Sequence, residues 1–170
     1  MKIVELNETY LNDAIRLVEK IFNPSKNDKL SLTASIYPQK YQNYLQKNGF
    51  IELKYYVLVD EENVIGITGL YAYDNESYWL GWFCIDEKYR NKGLGHVLLN
   101  LSISYASNRK CLYLYTEELD EFKIARKLYE KYGFELYKRE GKFIYYKFDF
   151  AKHKDKFVSV FSDTDVYKKD

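Results

Sequence analysis

Apolar side chains recur along this chain with two periods, and the change of period marks the predicted elements. A helical stripe over residues 11–22 predicts a first helix, with Asn7 or Thr9 as its cap, which Asn23-Pro24 ends. Runs rich in β-branched and aromatic residues, separated by short polar turns, predict three strands over residues 53–59, 64–73 and 78–85. Because the turns between them are short, we expect these strands to be antiparallel neighbours.

The flanking segments extend this pattern in both directions. Residues 2–6 predict a short strand, and residues 25–48 predict two short helices interrupted at Pro38. After residue 85 the pattern predicts, in order, a helix over 93–107, a strand over 111–116, a helix over 122–132 that Gly133 stops, and a hairpin of strands 134–137 and 142–150. The crossover through the first of these helices predicts that strands 78–85 and 111–116 are parallel neighbours.

A basic turn with two glycines lies between the strand 78–85 and the helix that follows it. Lys88, Arg90 and Lys92 supply positive charge, and Gly93 and Gly95 carry no side chains where the helix begins. The N–H groups of a helix N-terminus attract anions, most of all beside cations. The turn therefore predicts a site for a phosphate or a pyrophosphate.

Two sequence blocks narrow the choice of phosphate ligand. The Walker pattern and the G-x-G-x-x-G dinucleotide pattern are both absent, which argues against a nucleotide-binding protein that uses the same loop. The run Arg90-Asn91-Lys92-Gly93-Leu94-Gly95 resembles the acetyl-CoA pyrophosphate loop of the GNAT acyltransferases. A second block, Ala125-Arg126-Lys127-Leu128-Tyr129-Glu130-Lys131-Tyr132-Gly133-Phe134, is similar to that family's A-x-x-x-Y-x-x-x-G-F segment.

The resemblance implies an α/β (α+β) architecture, the GNAT acyl-CoA N-acyltransferase fold. Its central sheet would be mixed, mostly antiparallel and about seven strands wide, with helices on both faces and one parallel pair splayed at the cofactor site. Residues 1–150 would form this domain. Residues 151–170 would be a C-terminal extension, whose apolar residues leave open a docked tail or a homodimer contact: Phe157, Val158, Val160 and Phe161.

The resemblance further implies an N-acetyltransferase that moves an acetyl group from acetyl-CoA to a primary amine by direct attack. Backbone groups of Phe83, Cys84 and Ile85 would bind the pantetheine and polarise the thioester carbonyl. The pyrophosphate would lie on the glycine turn and the start of the helix: Arg90, Asn91, Lys92, Gly93, Leu94, Gly95 and His96. Arg126 of the second block joins these cofactor-binding residues.

Tyr129 occupies the family position that supplies a proton to the departing thiolate, although its place on an apolar helical stripe is equally typical of a core residue. The general base is not marked by a motif. Glu117, just after strand 111–116, is our choice, and an ordered water relay is the alternative. The other carboxylates at strand ends are Glu76, Asp86, Glu87 and Glu118. Phe122 departs from the family, where an asparagine is frequent and contacts the cofactor.

Composition changes this interpretation little. The chain has 170 residues and a net charge of +1, so no overall field favours nucleic acid or a membrane surface. No Cys or His cluster predicts a metal, and Cys84 and Cys111 are expected to be buried and reduced. No apolar run approaches the length of a membrane span and residues 1–10 do not resemble a secretory leader, so the cytoplasm is the expected location.

One alternative function of the same fold stays open, an acyl-CoA-binding sensor or interaction module without turnover. Retention of Arg90, the two glycines and Tyr129 favours the enzyme. The acceptor amine, in a small molecule or in a protein or peptide, has no motif. Residues 25–48, the Asp74 turn and the C-terminal strands are expected to select it.

Overall fold

A seven-stranded sheet organises the part of the chain that the computed structural model describes, residues 1–153. Its strands are β1 (Lys2–Glu5), β2 (Glu52–Asp60), β3 (Asn63–Ala72), β4 (Ser77–Ile85), β5 (Cys111–Glu117), β6 (Glu135–Glu140) and β7 (Phe143–Asp149). The helices are α1 (Glu8–Phe22), α2 (Lys26–Ile36), α3 (Gln42–Lys47), α4 (Leu94–Ala106) and α5 (Lys123–Tyr132). Short 3-10 helices span Glu87–Tyr89, Asp120–Phe122 and Phe150–His153.

The strands lie in the order β1-β2-β3-β4-β5-β7-β6. Neighbouring strands are antiparallel except for β4 and β5, which are parallel and are connected through α4. This confirms the predicted mixed sheet, its three consecutive antiparallel strands and its one parallel pair. It follows that the glycine turn emerges at the C-terminal end of β4, one of the two parallel strands.

The helix boundaries follow the predicted start and stop signals. The Asn7 side chain accepts a hydrogen bond of 3.0 Å from the Thr9 N–H and caps α1, and Asn23 takes a left-handed conformation at its end. The segment around Pro38 separates α2 from α3. Gly133, with φ +107°, ends α5 as predicted.

The core occupies both faces of the sheet. On one face α1 and α2 bury Ala14, Val18 and Leu32 against Val57 and Ile67 of the inner strands. On the opposite face α4 and α5 cover the sheet with a second apolar cluster that includes Leu99, Ile103, Leu112, Tyr129 and Tyr146. Cys84 and Cys111 are both buried free thiols, as expected.

Several tyrosines are buried in this core, and their hydroxyls make the fold sensitive to alkaline pH. Burial raises the pKa of Tyr55, Tyr71 and Tyr129, and burial together with the Glu130 carboxylate raises that of Tyr146 to about 12. An unfolded tyrosine releases its proton near pH 10, so above about that pH the folded protein binds more protons than the unfolded chain.

We therefore expect the free energy of unfolding to be fully retained up to about pH 10 and to fall as the pH rises through the folded pKa values. Urea unfolding at a series of pH values, followed by far-UV circular dichroism, measures this. A midpoint that stays constant from neutral pH to about pH 12 would contradict the expectation.

The C-terminal extension is described only at its start, where Phe150–His153 forms a short 3-10 helix. The apolar residues predicted to dock or dimerise, Phe157, Val158, Val160 and Phe161, lie outside the described residues. Within residues 1–153, no helix combines the length and the hydropathy needed to cross a bilayer.

Candidate active site

The parallel strands β4 and β5 separate soon after they meet. They pair only at Ser77 with Cys111, Tyr78 with Leu112 and Trp79 with Tyr113. Beyond Trp79, β4 continues to Ile85 beside β3, while β5 continues to Glu117 beside β7. The backbone of β4 from residue 80 onward therefore faces a wedge between the two strands, which is the predicted splay.

A bulge in β4 lies at this wedge. The register between β3 and β4 shifts between Ile67 and Gly69, and Trp82 has a left-handed φ of +48°. A large residue in this region is strained by about 1–3 kcal/mol and needs outside support. Bulges of this kind turn backbone groups out of the regular ladder, here beside Phe83, Cys84 and Ile85.

Ser31 of α2 supplies part of that support. Its hydroxyl accepts hydrogen bonds from the Trp82 indole N–H at 2.9 Å and from the Tyr55 hydroxyl at 3.1 Å, and it donates to the Asp28 carbonyl at 2.8 Å. Ser31 is 4% exposed, so this buried junction is shielded from solvent. The Trp82 conformation is thereby tied to α2.

Phe122 packs on the same side of the wedge as Trp82. The Phe22 ring lies 5.4 Å from the Trp82 ring and 5.9 Å from the Phe122 ring, with which it stacks. Phe122 thus takes part in an aromatic contact between the end of α1 and the segment before α5.

The glycine turn presents backbone N–H groups at the start of α4. Asn91 and Gly93 have left-handed φ values of +62° and +78°, and the first hydrogen bond of the helix runs from the Val97 N–H to the Gly93 carbonyl at 3.3 Å. The N–H groups of the preceding residues belong to the first turn, which lacks internal acceptors. Apart from Gly93 itself, its chain neighbours and the adjoining helix backbone, no atom of residues 1–153 lies within 4 Å of the position a Gly93 Cβ would occupy, so an anion can approach closely.

The charged residues of the turn hold its shape. The Asp86 carboxylate accepts hydrogen bonds from the Lys88 N–H at 3.0 Å and from the Lys20 ammonium at 3.2 Å. Burial raises the pKa of Asp86, but these two partners outweigh burial and leave its pKa below the usual value. The Arg90 Nε donates to the Ile85 carbonyl at 3.0 Å, which directs the guanidinium along the turn.

Tyr129 lies under the wedge, in the core between α5 and the sheet. Its ring is 5.7 Å from Phe83 and 6.2 Å from Tyr146, and the residue is 6% exposed. Burial, and then Cys84 and Tyr146, raises the pKa of its hydroxyl, which stays protonated at neutral pH. Among residues 1–153 this hydroxyl has no hydrogen-bond partner, so its proton is available to a ligand.

The candidate bases are engaged in surface ion pairs. The Glu117 Oε1 lies 2.9 Å from the Lys142 Nζ across the β5–β7 pair. Glu118 pairs with Arg139 and Glu76 pairs with Lys110. Exposed pairs of this kind contribute about 0–1 kcal/mol and open readily, so they leave each carboxylate accessible.

Arg126 and His96, which the sequence assigned to the cofactor, have protein partners as Arg90 does. The Arg126 guanidinium donates to the Glu117 carbonyl at 3.2 Å and to the Leu119 carbonyl at 2.7 Å, and so fixes the segment after β5. The His96 Nδ1 lies 3.1 Å from the Tyr132 hydroxyl, and burial followed by the Lys131 charge lowers the His96 pKa. His96 is therefore neutral at neutral pH and offers its backbone N–H rather than a charge.

The structure adds three residues that sequence reasoning missed: Ser31, Tyr55 and Trp82. Nothing in the spacing of Ser31 distinguishes it from other helical serines. The only signal for the bulge is Gly81 before Trp82, since a glycine inside a strand frequently marks irregular pairing.

Comparisons with known proteins agree with this geometry. A family model described as "Acetyltransferase (GNAT) family" matches residues 16–134. The spermine/spermidine N(1)-acetyltransferase of Bacillus subtilis is 36% identical over 74 residues, which are 42% of this chain and 49% of that protein. The match thus spans about half the length of this curated relative.

Solved structures extend the similarity over most of the chain. A paia N-acetyltransferase from Thermoplasma acidophilum in complex with coenzyme A has a TM-score of 0.63 at 16% identity and covers 87% of this chain and 98% of its own. A spermidine N-acetyltransferase chimera from Vibrio cholerae and hSSAT has a TM-score of 0.64 at 18% identity, covering 91% and 99%. At such identities these structures show a shared fold.

Proposed function

Because this chain belongs to the acetyltransferase (GNAT) family, we propose that it transfers an acetyl group from acetyl-CoA to a primary amine. The observation that carries the proposal is the wedge between β4 and β5, which opens beside the glycine turn. A bound thioester would extend from the anion-binding turn into the wedge, where the unpaired backbone of β4 offers hydrogen bonds.

The pyrophosphate would be held by the N–H groups of residues 91–96, with Arg90 and Lys92 adding charge. Three features make this turn fit a pyrophosphate: the left-handed conformation of Gly93, the open space where its Cβ would lie, and the backbone N–H groups at the start of α4. The pantetheine would lie along Phe83, Cys84 and Ile85, and a backbone N–H at the bulge would donate to the thioester oxygen. Arg126 supports the wall of this site by fixing the end of β5.

In the reaction, the neutral amine attacks the thioester carbonyl carbon, the C–N bond forms and the C–S bond breaks. Glu117, released from Lys142, takes the proton that the amine loses, directly or through a water. The Tyr129 hydroxyl gives its proton to the sulfur of the leaving thiolate and recovers one from solvent. Because burial raises its pKa, the Tyr129 hydroxyl holds its proton at neutral pH and has one to donate.

The acceptor to test first is a polyamine, since the curated relative is a spermine/spermidine N(1)-acetyltransferase. Simple alkylamines, peptides with a free N-terminus and lysine peptides complete the panel. Release of CoA that depends on both acetyl-CoA and an amine supports the enzyme. Binding without release on every acceptor would favour the sensor or interaction module instead.

Acetyl-CoA is expected to stabilise the fold against heat. A ligand that binds only the native state adds about 2.7 kcal/mol at a hundredfold excess over its dissociation constant. For a domain of this size the shift in Tm is about 5–10 °C. Differential scanning fluorimetry with acetyl-CoA, CoA and ATP at equal concentration measures it, and a shift with ATP alone would overturn the proposed ligand.

A further inference from the structure

An exposed aromatic surface lies beside α2 and α3, away from the glycine turn. Ring centroids are separated by 6.3 Å between Tyr44 and Phe50, 5.6 Å between Phe50 and Tyr73, and 6.4 Å from Trp79 to both Tyr73 and Tyr115. We call these five residues the Trp79 cluster. Tyr73 and Tyr115 are each 49% exposed, so the cluster offers ring faces and edges to a ligand.

A carboxylate stands next to this cluster. The Tyr44 hydroxyl donates to the Asn27 carbonyl at 2.9 Å, which places it at the first turn of α2, next to Asp28. Burial raises the pKa of Tyr44 and Tyr115, and the negative charge of Asp28 raises both further. Asp28 therefore lies within electrostatic reach of hydroxyls on opposite sides of the cluster, and these hydroxyls remain neutral.

The lysines and arginines that the structure describes make their ring contacts and ion pairs elsewhere. Lys138 lies over the Tyr145 ring at 4.9 Å and Lys147 over the Tyr113 ring at 5.9 Å, so the neighbouring tyrosines already hold lysines. Over the stretch from residue 1 to 153, no lysine or arginine lies over a ring of the Trp79 cluster, and no ion pair involves Asp28. The cluster and Asp28 thus form an aromatic surface with one carboxylate, which none of the described lysines and arginines occupies.

This surface is connected to the wedge. The Asp28 carbonyl accepts from Ser31, whose hydroxyl receives the Trp82 indole N–H. Trp79 precedes Trp82 by three residues on β4, a separation of about 10 Å along a strand. A linear molecule with one end at the bulge therefore reaches the cluster with its other end.

We propose that Asp28 and the Trp79 cluster bind the second, non-reacting ammonium group of a di- or polyamine whose first amine is acetylated at the β4 bulge. The proposal rests on the proposed function, because it assigns the reacting amine to that site. The attacking nitrogen must be neutral, but a remote one remains protonated at neutral pH. Aromatic faces and a carboxylate are the groups that recognise an alkylammonium ion, and the rings also cover the methylene chain.

The test uses ligands that differ only at the remote end. Calorimetric titration of the full chain, saturated with CoA, would compare 1,8-diaminooctane with 8-amino-1-octanol, which replaces the second ammonium with a hydroxyl. We expect the Kd of the diamine to be lower than that of the amino alcohol by about tenfold or more. Equal affinities would overturn the proposal.

Variants assign the preference to the named residues. Asp28→Asn is expected to remove most of the tenfold difference, because it keeps the shape and loses the charge. Tyr115→Leu is expected to weaken diamine binding several-fold, whereas Tyr115→Phe, which keeps the ring, is expected to bind like the wild type. The matched controls are Asp60→Asn, at the last residue of β2, and Tyr137→Leu, an exposed tyrosine on β6. A preference that survives Asp28→Asn, or that either control abolishes, would contradict the assignment.

Steady-state kinetics separates this proposal from the proposed function. If the diamine is acetylated, Asp28→Asn should raise its KM with little change in kcat, and should leave the kinetics of octylamine unchanged. If no amine is acetylated, the acetyltransferase assignment fails. The binding comparison then still decides whether Asp28 recognises a remote ammonium, since it requires no turnover.

Discussion

Replacing Gly93 with valine is expected to weaken acetyl-CoA binding by about 10- to 150-fold. Charge-assisted hydrogen bonds to a phosphate contribute about 1.5–3 kcal/mol, and about 1.4 kcal/mol corresponds to one factor of ten. Gly93 has φ +78° and open space above its Cα, so a valine side chain would project into the region the pyrophosphate must enter. Isothermal titration with acetyl-CoA measures the loss.

Gly141 provides a matched control for this substitution. It also has a left-handed φ, +58°, and open space where a Cβ would lie, but it belongs to the turn between β6 and β7. Valine at either position costs about 1–2 kcal/mol of stability through the left-handed backbone. Both variants should therefore lose a similar amount of Tm, whereas only Gly93→Val should lose affinity. Equal affinities in the two variants, or wild-type affinity in Gly93→Val, would remove the turn from the cofactor site.

Local sequence signals were sufficient for the elements that frame the site. The order of helices and strands and the stop at Gly133 depend on residues within one or two turns of each other. The antiparallel triplet and the parallel pair follow from the lengths of the connections between consecutive strands. Such signals act over short distances, through apolar periodicity, capping and left-handed glycine. The sequence therefore located the turn at Gly93 correctly between a strand and a helix.

Features that depend on contacts between distant segments could not be predicted in this way. The left-handed Trp82 is held by Ser31, which lies 51 residues away in the chain, and the ion pair of Glu117 with Lys142 depends on the β5–β7 register. The stacking of Phe122 on Phe22 joins α1 to the segment before α5. Each needs the tertiary fold before any partner can be named, so the sequence identified Glu117 as a candidate without its cation.

Tyr129→Phe is expected to lower kcat by about 10²–10⁴ while leaving the Kd for acetyl-CoA nearly unchanged. The substitution keeps the ring that packs against Phe83 and Phe134 and removes only the hydroxyl, which has no hydrogen-bond partner within residues 1–153. The proton is needed only as the C–S bond breaks, so the loss falls on turnover rather than on binding. Steady-state kinetics together with calorimetry measures both quantities.

The control and the leaving group separate chemistry from packing at Tyr129. Tyr146→Phe removes a hydroxyl from the same core cluster, one that donates to the Glu130 Oε1 at 3.1 Å, and it should keep near wild-type turnover. With the acetyl thioester of a more acidic thiol, whose thiolate leaves without a proton, the defect of Tyr129→Phe should shrink towards that of the control.

The pH dependence of the rate gives a further check. Because burial raises the pKa of Tyr129, replacing it should leave the shape of the pH–rate profile below about pH 10 unchanged. Wild-type turnover in Tyr129→Phe would show that Tyr129 only fills the core, and a defect that is independent of the leaving group would assign it a role other than proton donation.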